Sequence, residues 1–266
     1  MRLEQTITVQ ESEQRAIDLL AQAIPALSRQ KLKLAMEKGA VWIKKGKGQQ
    51  RLRRATKVLQ PQQVLSIYYD DNLLAKVAPE PTLIADLTAY SVWNKPAGLL
   101  AQGTPFGDHC SLLRYAEKYF EPQREAFLVH RLDAEANGLM MVAHTRQAAA
   151  QLSDLFKQQT IIKRYRVTVE GVVGQPQTIN SSINHKPAVT IVEKIIGSDN
   201  YTTELLAQIK TGRKHQIRRH FSALGHPVVG DKKYGSTMLD KPLQLSAIEI
   251  AFECPITKQP QQFILN

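Results

Sequence analysis

The stretch that most limits the fold of this chain is Phe127–Ala143, with the sequence FLVHRLDAEANGLMMVA. Two short apolar runs enclose a polar bend, a pattern typical of two buried strands joined by a loop. Asp133, in the bend, is then expected at the end of a strand, where a side chain can meet a ligand while the backbone stays rigid. The alternative is that Asp133 accepts hydrogen bonds from nearby backbone amides in a turn, with Arg131 as a surface partner.

Length and charge limit the class of protein. A chain of 266 residues suggests two domains or one large one, and a hydrophobic content of 43% is ample for a core. The net charge is +11 and the isoelectric point is about 9.6. This balance indicates a polyanionic partner, which is either nucleic acid or an anionic membrane surface.

The sequence lacks the motifs of several classes of protein, and those classes are therefore disfavoured. The N-terminal residues have no apolar segment of the kind found in secretion signals, and no apolar run approaches the ~18 residues of a membrane helix. Cys110 and Cys254 are far apart, so we expect no disulfide framework and a cytoplasmic location. His215 and His220 are five residues apart, which is not the spacing of two metal ligands on one helix face. Without a Walker loop or a GxGxxG motif, we expect neither a cofactor nor a metal.

Positive charge is concentrated between Arg29 and Lys57. This segment contains eleven lysines and arginines and one acid, Glu37, so its net charge is +10. Phosphate contacts release counterions, so such a segment should bind nucleic acid strongly and with little sequence preference. Nucleic acid is favoured over a membrane because no exposed apolar face accompanies the charge. The other interpretation is a solvated basic face without a partner.

The residues around this segment predict a small α/β domain. Apolar spacing predicts a helix over Arg15–Leu27, and Ser28 is a candidate N-cap for a second helix that ends at Gly39. Strands are predicted at Val41–Ile43 and Val64–Tyr69.

Residues 11–70 resemble a small RNA-binding module found in a small-subunit ribosomal protein, tyrosyl-tRNA synthetases and many RNA-modifying enzymes. The matching residues are Arg15, Asp18–Leu20, Leu27–Arg29 and Gly39–Val41. The chain departs from the module at Lys44–Gly46, where Val-Asn-Gly is common, and at Gln62–Gln63, where Gly-Asp is usual.

A linker is predicted over residues 71–87, because Pro79 and Pro81 hold the chain extended. The second domain, residues 88–266, should begin with a strand at Tyr90–Trp93 and a turn through Pro96. Lys95 in this turn is either a contact to an RNA backbone or an ordinary surface lysine.

Two helices and a strand are predicted in the middle of the second domain. The helices cover Ser111–Tyr119, with Tyr119 facing inward, and Gln147–Phe156. Lys163–Val169 alternates as a strand, with Tyr165 on its apolar face. Tyr165 is either a core aromatic with a wet hydroxyl or a platform on which a flipped base stacks.

A helix is predicted within the motif that begins at Thr211. Ile217, Phe221 and Leu224 mark its buried face, and Gly225 ends it. Arg218 lies beside that face, so we expect it to point into a cleft.

Taken together, motifs of the second domain resemble the RluA-type pseudouridine synthases over nearly all of residues 89–252. The matching motifs are Asn94-Lys95-Pro96-x-Gly98, His130-Arg131-Leu132-Asp133, Gly138-Leu139, Lys163-x-Tyr165, Gly171, Gly212-Arg213-x-His215-Gln216-Ile217-Arg218-x-His220, Gly225-His226-Pro227, Gly230-Asp231 and Tyr234-Gly235. Where that family usually has Thr-Ser, this chain has Ala136-Asn137. Because Asn137 can hydrogen-bond in a tight turn, we expect the loop to be retained.

The resemblance implies an α+β catalytic domain on a mixed, largely antiparallel sheet with flanking helices. It implies an isomerase that breaks the bond from ribose carbon 1 to uracil nitrogen, turns the base and joins it through carbon 5. Asp133 would be the nucleophile, attacking the uracil ring or the sugar. Arg218 would be the cation that keeps Asp133 ionised, and Tyr165 would stack on the flipped base or help remove the proton from carbon 5.

The implied partner is RNA, with large-subunit ribosomal RNA favoured and transfer RNA as the alternative. No membrane and no obligatory protein partner is expected. Beside the site, Arg131 is expected to hold backbone phosphate or to help extrude the base. The remaining residues expected to bind RNA are Arg29, Lys33, Lys44, Lys45, Lys47, Arg51, Arg53, Arg54, Arg213, Lys214 and His215.

Two rival functions remain open. In a glycosidase-like enzyme, Asp133 and Glu135 would act as paired carboxylates, because residues i and i+2 share a strand face. This hypothesis does not explain the basic segment or the motif around Arg218. The other rival is a non-catalytic RNA-binding or ribosome-assembly factor, which Ala136-Asn137 favours and the retention of Asp133, Tyr165 and Arg218 disfavours.

Overall fold

The computed structural model describes residues 1–265, which form two compact units. The first unit contains Met1–Ala78 and Gln102–Tyr115, and the second contains Pro79–Ala101 and the residues from Ala116 onwards. Residues 102–115 therefore belong to the first unit by their contacts, although they lie inside the range predicted for the catalytic domain.

The first unit is a four-stranded sheet in the order β1-β4-β2-β3 with short helices. All of its strand pairs are antiparallel. Its elements are β1 (Arg2–Thr8), α1 (Ala16–Ala23), α2 (Arg29–Glu37), β2 (Val41–Lys45), β3 (Gly48–Arg51), β4 (Val64–Asp70) and α3 (Asp71–Leu74).

The capping residues and apolar spacing predicted the bounds of α2 correctly and those of α1 only in part. The hydroxyl of Ser28 accepts a hydrogen bond from the amide of Lys31, which confirms the N-cap, and Gly39 follows α2 with a φ of +81°. The first helix ends at Ala23 rather than Leu27. The residue before a proline avoids the helical region, and Ile24 precedes Pro25. Ile24 and Leu27 are nevertheless buried.

Strand β1 and the structure within the predicted linker lie where no regular structure was predicted. Strand β1 pairs with β4 along the edge of the first sheet, and only Leu3 and Ile7 of its seven residues are even half-buried. Such a strand has too few apolar residues for a clear alternating pattern. The predicted linker contains helix α3 and strand β5 (Thr82–Asp86).

The second unit is organised around a ten-stranded sheet with the central order β10-β11-β12-β9-β13-β8-β6-β5. Strand β14 pairs with β13, and β7 pairs with β8. Only the β8–β13 pair is parallel among these described strands, which agrees with the expected mixed, largely antiparallel sheet. The other strands are β6 (Tyr90–Lys95), β7 (Phe127–Leu128), β8 (Asn137–Ala143), β9 (Ile162–Glu170), β10 (Thr178–Asn180), β11 (Val189–Ser198), β12 (Thr202–Ile209), β13 (Leu245–Glu253) and β14 (Pro260–Ile264).

The described residues of this part of the chain contain three helices, of which the last two bury apolar faces against the sheet. They are α4 (Leu112–Tyr119), which begins in the first unit, α5 (Arg146–Gln158) and α6 (Gln216–Ala223). Leu152 of α5 packs with the β6 and β8 side chains, and Phe221 of α6 packs with those of β9 and β12. Burying one such side chain contributes roughly 1.5–3 kcal/mol. The predictions that Tyr119 and Leu224 lie on buried helix faces were wrong. Tyr119 is 48% exposed, and Leu224, which follows the end of α6, is 43% exposed.

The two apolar runs around Asp133 form strands β7 and β8, as predicted, although β7 has two residues and is half-buried rather than buried. The two strands pair antiparallel. Strand β8 begins at Asn137, and Gly138 follows with a φ of +115°. A Cβ at Gly138 would lie 2.2 Å from the carbonyl oxygen of Ala247, so only glycine permits this close parallel pairing with β13. The close pairing fixes the C-terminal end of the loop that carries Asp133.

No helix among residues 1–265 is long and apolar enough to cross a membrane.

Candidate active site

Asp133 lies in the loop between β7 and β8, and its side chain is 22% exposed. It lines a cavity of about 270 Å³, close to the lower end of cavities that hold small molecules. Tyr165 of β9 and Arg218 of α6 line the same cavity. The structure thus brings together the three residues predicted to be catalytic.

Arg218 connects Asp133 to a second carboxylate that the sequence analysis did not assign to the site. Its NH1 donates to Oδ2 of Asp133 over 3.0 Å, and its Nε and NH2 donate to the two oxygens of Asp231 over 2.7 and 2.8 Å. The side chain of Asp231 is fully buried and that of Arg218 is 4% exposed. Such a two-pronged contact fixes the plane of a guanidinium group. Asp231 therefore orients Arg218, and Arg218 directs one donor at Asp133.

The electrostatics of this group favour a charged Arg218. Burial alone would lower the pKa of Arg218, but its hydrogen bonds to Asp231 and Asp133 outweigh burial and raise the pKa. Burial also opposes the charge of Asp231, yet its hydrogen bonds from Arg218 keep the pKa of Asp231 below the ordinary value. The pair is thus a buried arginine–carboxylate bridge with one guanidinium edge facing the cavity.

The loop that carries Asp231 is held to the sheet by Glu170 of β9. The carboxylate of Glu170 accepts hydrogen bonds from the hydroxyls of Ser236 and Thr237 and from the amides of Thr237 and Met238, at 2.5–3.1 Å. These contacts fix the stretch from Asp231 to Met238. Tyr234 in this stretch lies with its ring 5.2 Å from the guanidinium carbon of Arg218, a cation–π contact.

His215 is the third polar group near Asp133. Its Nε2 lies 3.6 Å from Oδ1 of Asp133, and its Nδ1 is hydrogen-bonded to the hydroxyl of Tyr234 over 2.8 Å. Burial lowers the pKa of His215 more than the charge of Asp133 raises it. A neutral imidazole is therefore the resting form at neutral pH, and it can accept a proton beside the carboxylate.

Tyr165 lies on the same face of β9 as Val167 and Val169, as predicted from the alternation. Its side chain is half-buried beside the cavity. Burial, with the nearby charge of Asp133, raises the pKa of Tyr165 above that of an ordinary tyrosine. The phenol therefore stays protonated and offers an aromatic face and a hydrogen-bond donor.

Lys95 is neither a surface lysine nor positioned to contact RNA. Its side chain is fully buried, and Nζ donates to the carbonyl oxygens of Ala136, Leu99, Pro96 and Ala134 over 2.7, 2.8, 3.0 and 3.3 Å. Two of these carbonyls, those of Ala134 and Ala136, follow Asp133 in the same loop. Burial lowers the pKa of Lys95 to about 8, against the charges of Asp133 and Glu135, which raise it. Lys95 therefore fixes the backbone of the loop from inside.

Gln216, the first residue of α6, is another group whose role the sequence analysis missed. Its Oε1 accepts from the hydroxyl of Thr211 over 2.7 Å and from the amide of Arg213 over 3.1 Å. Its Nε2 donates to the carbonyl of Val189 and the hydroxyl of Thr190 in β11. In the sequence, only the position of Gln216 within the Gly212–His220 motif pointed to this role, because a single buried glutamine produces no periodic pattern. These bonds fix the turn that presents His215.

The other residues predicted to bind RNA in the second unit lie around the cavity. Arg131 and Lys214 are exposed, Arg213 is half-buried, and all three line the cavity with Asp133. Arg213 also donates from Nε to the carbonyl of Pro187 over 2.9 Å. The cavity wall is therefore positively charged, as expected for a polyanionic ligand.

The basic residues of the first unit separate into exposed and internally paired groups. Arg51 and Arg53 share the carboxylate of Asp108 at 3.0 and 2.5 Å, and Arg51 also lies 4.2 Å from the ring centroid of Trp42. Arg29 pairs with Asp18 over 2.5 Å near the surface. The other predicted RNA-binding residues of this unit are exposed, and they are Lys33, Lys44, Lys45, Lys47 and Arg54.

The geometry contradicts the argument for paired carboxylates. Asp133 and Glu135 lie in a loop rather than in a strand, so they do not share a strand face. The side chain of Glu135 is 63% exposed, and it lies 3.6 Å from NH1 of Arg218. Glu135 is thus an outer partner of Arg218.

Comparisons with known proteins identify the family. The RNA pseudouridylate synthase family matches residues 89–223, which is about half of the chain. The chain is 33% identical over 193 residues to the dual-specificity RNA pseudouridine synthase RluA of Pasteurella multocida, covering 64% of this chain and 85% of the relative. It is 32% identical over 227 residues to the ribosomal large subunit pseudouridine synthase C of Vibrio vulnificus, covering 75% of this chain and 64% of the relative.

The fold has a counterpart among solved structures. Human RNA pseudouridylate synthase domain containing 1 superimposes with a TM-score of 0.58 at 24% identity, covering 72% of this chain and 85% of that chain. Because the identity is low, this likeness concerns the fold alone. The sequence matches lead to the conclusion that the chain belongs to the RNA pseudouridylate synthase family and is an enzyme that isomerises uridine in RNA to pseudouridine.

Proposed function

We propose that this enzyme modifies large-subunit ribosomal RNA, with Asp133 as the nucleophile. The observation that carries the assignment of Asp133 is its contact with Arg218 in a cavity that also contains Tyr165 and basic residues. By their names, the similar proteins include several ribosomal large-subunit pseudouridine synthases and one transfer-RNA pseudouridine synthase. The greater number of ribosomal names supports ribosomal RNA as the substrate. Transfer RNA is the alternative substrate. The proposed place of action is the cytoplasm.

In the proposed reaction, a uridine leaves its RNA stack and enters the cavity beside Asp133. A base inside a duplex cannot be reached, so the enzyme flips the target or meets it single-stranded. The aromatic face of Tyr165 supports stacking of the uracil ring. Because the phenol of Tyr165 stays protonated, it is better suited to donate a hydrogen bond than to remove the proton from carbon 5.

Asp133 then attacks the uracil ring or the sugar, and both routes are compatible with its position. A carboxylate serves either route because it attacks when ionised and leaves again readily. Arg218 supplies the cationic hydrogen-bond donor for the carboxylate. The bond from ribose carbon 1 to the uracil nitrogen breaks, the base turns, carbon 5 bonds to the ribose carbon, and Asp133 is released. The proton lost from carbon 5 is balanced by the one gained at the freed uracil nitrogen. The isomerisation needs no net oxidation or reduction.

The exposed basic residues of the first unit are proposed to hold the RNA through its phosphates. Lys33, Lys44, Lys45, Lys47 and Arg54 fit this role, and the side chain of Arg29 is 63% exposed despite its pair with Asp18. Arg51 and Arg53 fit it less well, because Asp108 neutralises part of their charge inside the unit. Beside the cavity, Arg131, Arg213, Lys214 and His215 are proposed to contact the target strand.

The test is pseudouridine mapping of total RNA from cells with and without the protein, complemented with wild type or with Asp133→Asn. We expect one or a few large-subunit ribosomal RNA positions to lose pseudouridine and to regain it only with wild type. The Glu135→Gln variant is the matched carboxylate control and should restore the modification. Sites confined to transfer RNA would overturn the proposed substrate, and restoration by Asp133→Asn would overturn the proposed nucleophile.

A further inference from the structure

A second cavity lies beside the one that holds Asp133, and the reaction described above does not use it. Its volume is about 380 Å³. Gly212 and Arg213 line both cavities, so the two are neighbours. The other residues that line the second cavity are Val129, Ser153, Phe156, Lys157, Gln159, Lys163 and Thr211.

The unusual residue of this second cavity is Lys163, on the same face of β9 as Tyr165. It is 6% exposed, and in the described part of the chain it has neither a salt bridge nor a hydrogen bond through Nζ. Its Nζ lies 5.7 Å from the centroid of the Phe156 ring. A buried ammonium group without an anion is costly, so proteins rarely keep one without a use.

The surroundings of Lys163 offer no negative charge to offset its own. None of the described residues that line the cavity is acidic, and Lys157 is already paired with Asp154 over 2.8 Å. His130, stacked on Phe156 with a centroid distance of 4.5 Å, is held neutral by burial, which lowers its pKa to about 3. Lys210 adds a further positive charge, and burial together with Lys210 lowers the pKa of Lys163 to about 8.

The chemistry of the lining residues fits an anion with several acceptor oxygens. Lys163 and Arg213 supply cationic donors, and Ser153 and Thr211 supply hydroxyls. Phosphate is an anion of this kind, and the enzyme's substrate carries one on each side of every nucleoside. Because Gly212 and Arg213 border both cavities, an RNA strand with its uridine at Asp133 would have a neighbouring phosphate near Lys163.

We propose that the second cavity binds a backbone phosphodiester of the RNA strand adjacent to the target uridine, with Lys163 and Arg213 as its cations. The proposal rests on the proposed function, because it takes the uridine to be held at Asp133. Lys163 is then a residue that positions the strand, and its charge is matched only when RNA is bound.

The first experiment needs no knowledge of the target. Inorganic phosphate is added to the full-length protein, and the side-chain signals of Lys163 are followed by NMR after assignment with Lys163→Met. We expect these signals to shift with phosphate and not with chloride at equal ionic strength. Because free phosphate requires no catalysis, this result does not depend on the proposed function.

The second experiment uses an RNA oligonucleotide around a mapped uridine, with single neutral methylphosphonates placed one position at a time. We expect Lys163→Met to bind the unmodified RNA about tenfold or more weakly, with the salt slope reduced by about 0.7 to 0.9. One methylphosphonate next to the uridine should weaken RNA binding by wild type more than by Lys163→Met, in which Arg213 alone still contacts that phosphate. The free energy of unfolding should not fall in Lys163→Met, since an apolar side chain replaces a buried unpaired charge.

The exposed Lys194 supplies the matched control, because Lys194→Met removes one charge from a residue that does not line the cavity. Its RNA affinity should stay within about twofold of wild type. If phosphate leaves Lys163 unshifted and Lys163→Met binds RNA like the control, the proposal is overturned. If phosphate shifts Lys163 but no methylphosphonate position distinguishes the two proteins, the ligand is a free phosphate compound and the RNA assignment is overturned. If Asp133 proved not to be the nucleophile, neither the phosphate result nor the RNA-binding result would change.

Discussion

Arg218 donates a hydrogen bond of 3.0 Å from NH1 to Oδ2 of Asp133, while its other nitrogens remain bound to Asp231. The donor that faces the proposed nucleophile is therefore held by a second, fully buried carboxylate. This division of one guanidinium between two acids requires the planar arrangement of nitrogens that only arginine has.

Replacing Arg218 with lysine should abolish most of the activity. A single ammonium cannot span both carboxylates, so we expect kcat to fall about a hundredfold or more, and Arg218→Met to lower the free energy of unfolding by about 3–5 kcal/mol. Single-turnover kinetics and denaturant unfolding provide the measurements. Arg219→Lys, next in the chain and bound to Asn184 at the surface, is the control and should behave as wild type. Equal activity in both variants would contradict the role given to Arg218.

Replacing Lys95 with methionine should impair the chemical step more than RNA binding. The carbonyls of Ala134 and Ala136, which follow Asp133 in the same loop, lose the ammonium donor. We therefore expect kcat to fall at least about tenfold, with the Kd for RNA within about twofold of wild type. Unsatisfied buried carbonyls should also lower the free energy of unfolding by roughly 1–3 kcal/mol. Lys194→Met controls for the loss of a charge. A variant that lost affinity and kept kcat would instead indicate an RNA contact.

The activity should decline in acid as His215 becomes protonated. An imidazolium 3.6 Å from Oδ1 would attract the carboxylate of Asp133 and make it a poorer nucleophile. Because the pKa of His215 is lowered, the decline in kcat should begin below about pH 6.5, the ordinary histidine value. The pH profile of His215→Gln should have a lower plateau and lack this decline. If kcat of His215→Gln declined in acid as it does in wild type, a group other than His215 would be responsible for the decline.

Stability should also fall in acid because the half-buried ring of His130 is held neutral by its desolvated surroundings. Its pKa is about 3 in the folded protein and about 6.5 when unfolded, so the unfolded state binds more protons between these values. Folding stability is therefore complete above about pH 6.5 and decreases as the pH falls, by at most about 1.4 kcal/mol per pH unit from this group. In His130→Gln, whose amide oxygen can still accept from Met141, the slope of unfolding free energy against pH should be smaller by about that amount. Urea unfolding from pH 7 to 4.5 measures the difference, and parallel curves would refute the assignment.

Much of the local structure was predictable because burial leaves a periodic pattern. The alternation around Tyr165, the apolar runs of β7 and β8 and the N-cap Ser28 each depend on residues within a few positions of one another. The same holds for the end of α6 near Gly225, where a φ of +81° requires the glycine that the sequence contains. The family also follows from sequence motifs, since their order and spacing are properties of the chain itself.

The tertiary structure alone decided which charges are available to a ligand. Lys95, Arg51 and Lys163 are indistinguishable from surface cations in the sequence, yet each is largely removed from solvent. Lys95 meets carbonyls about forty residues away, Arg51 meets Asp108, and Lys163 meets no anion among the described residues. The physical reason is that a charge pairs with whatever the fold brings near it, and such long-range partners leave no periodic trace in the sequence.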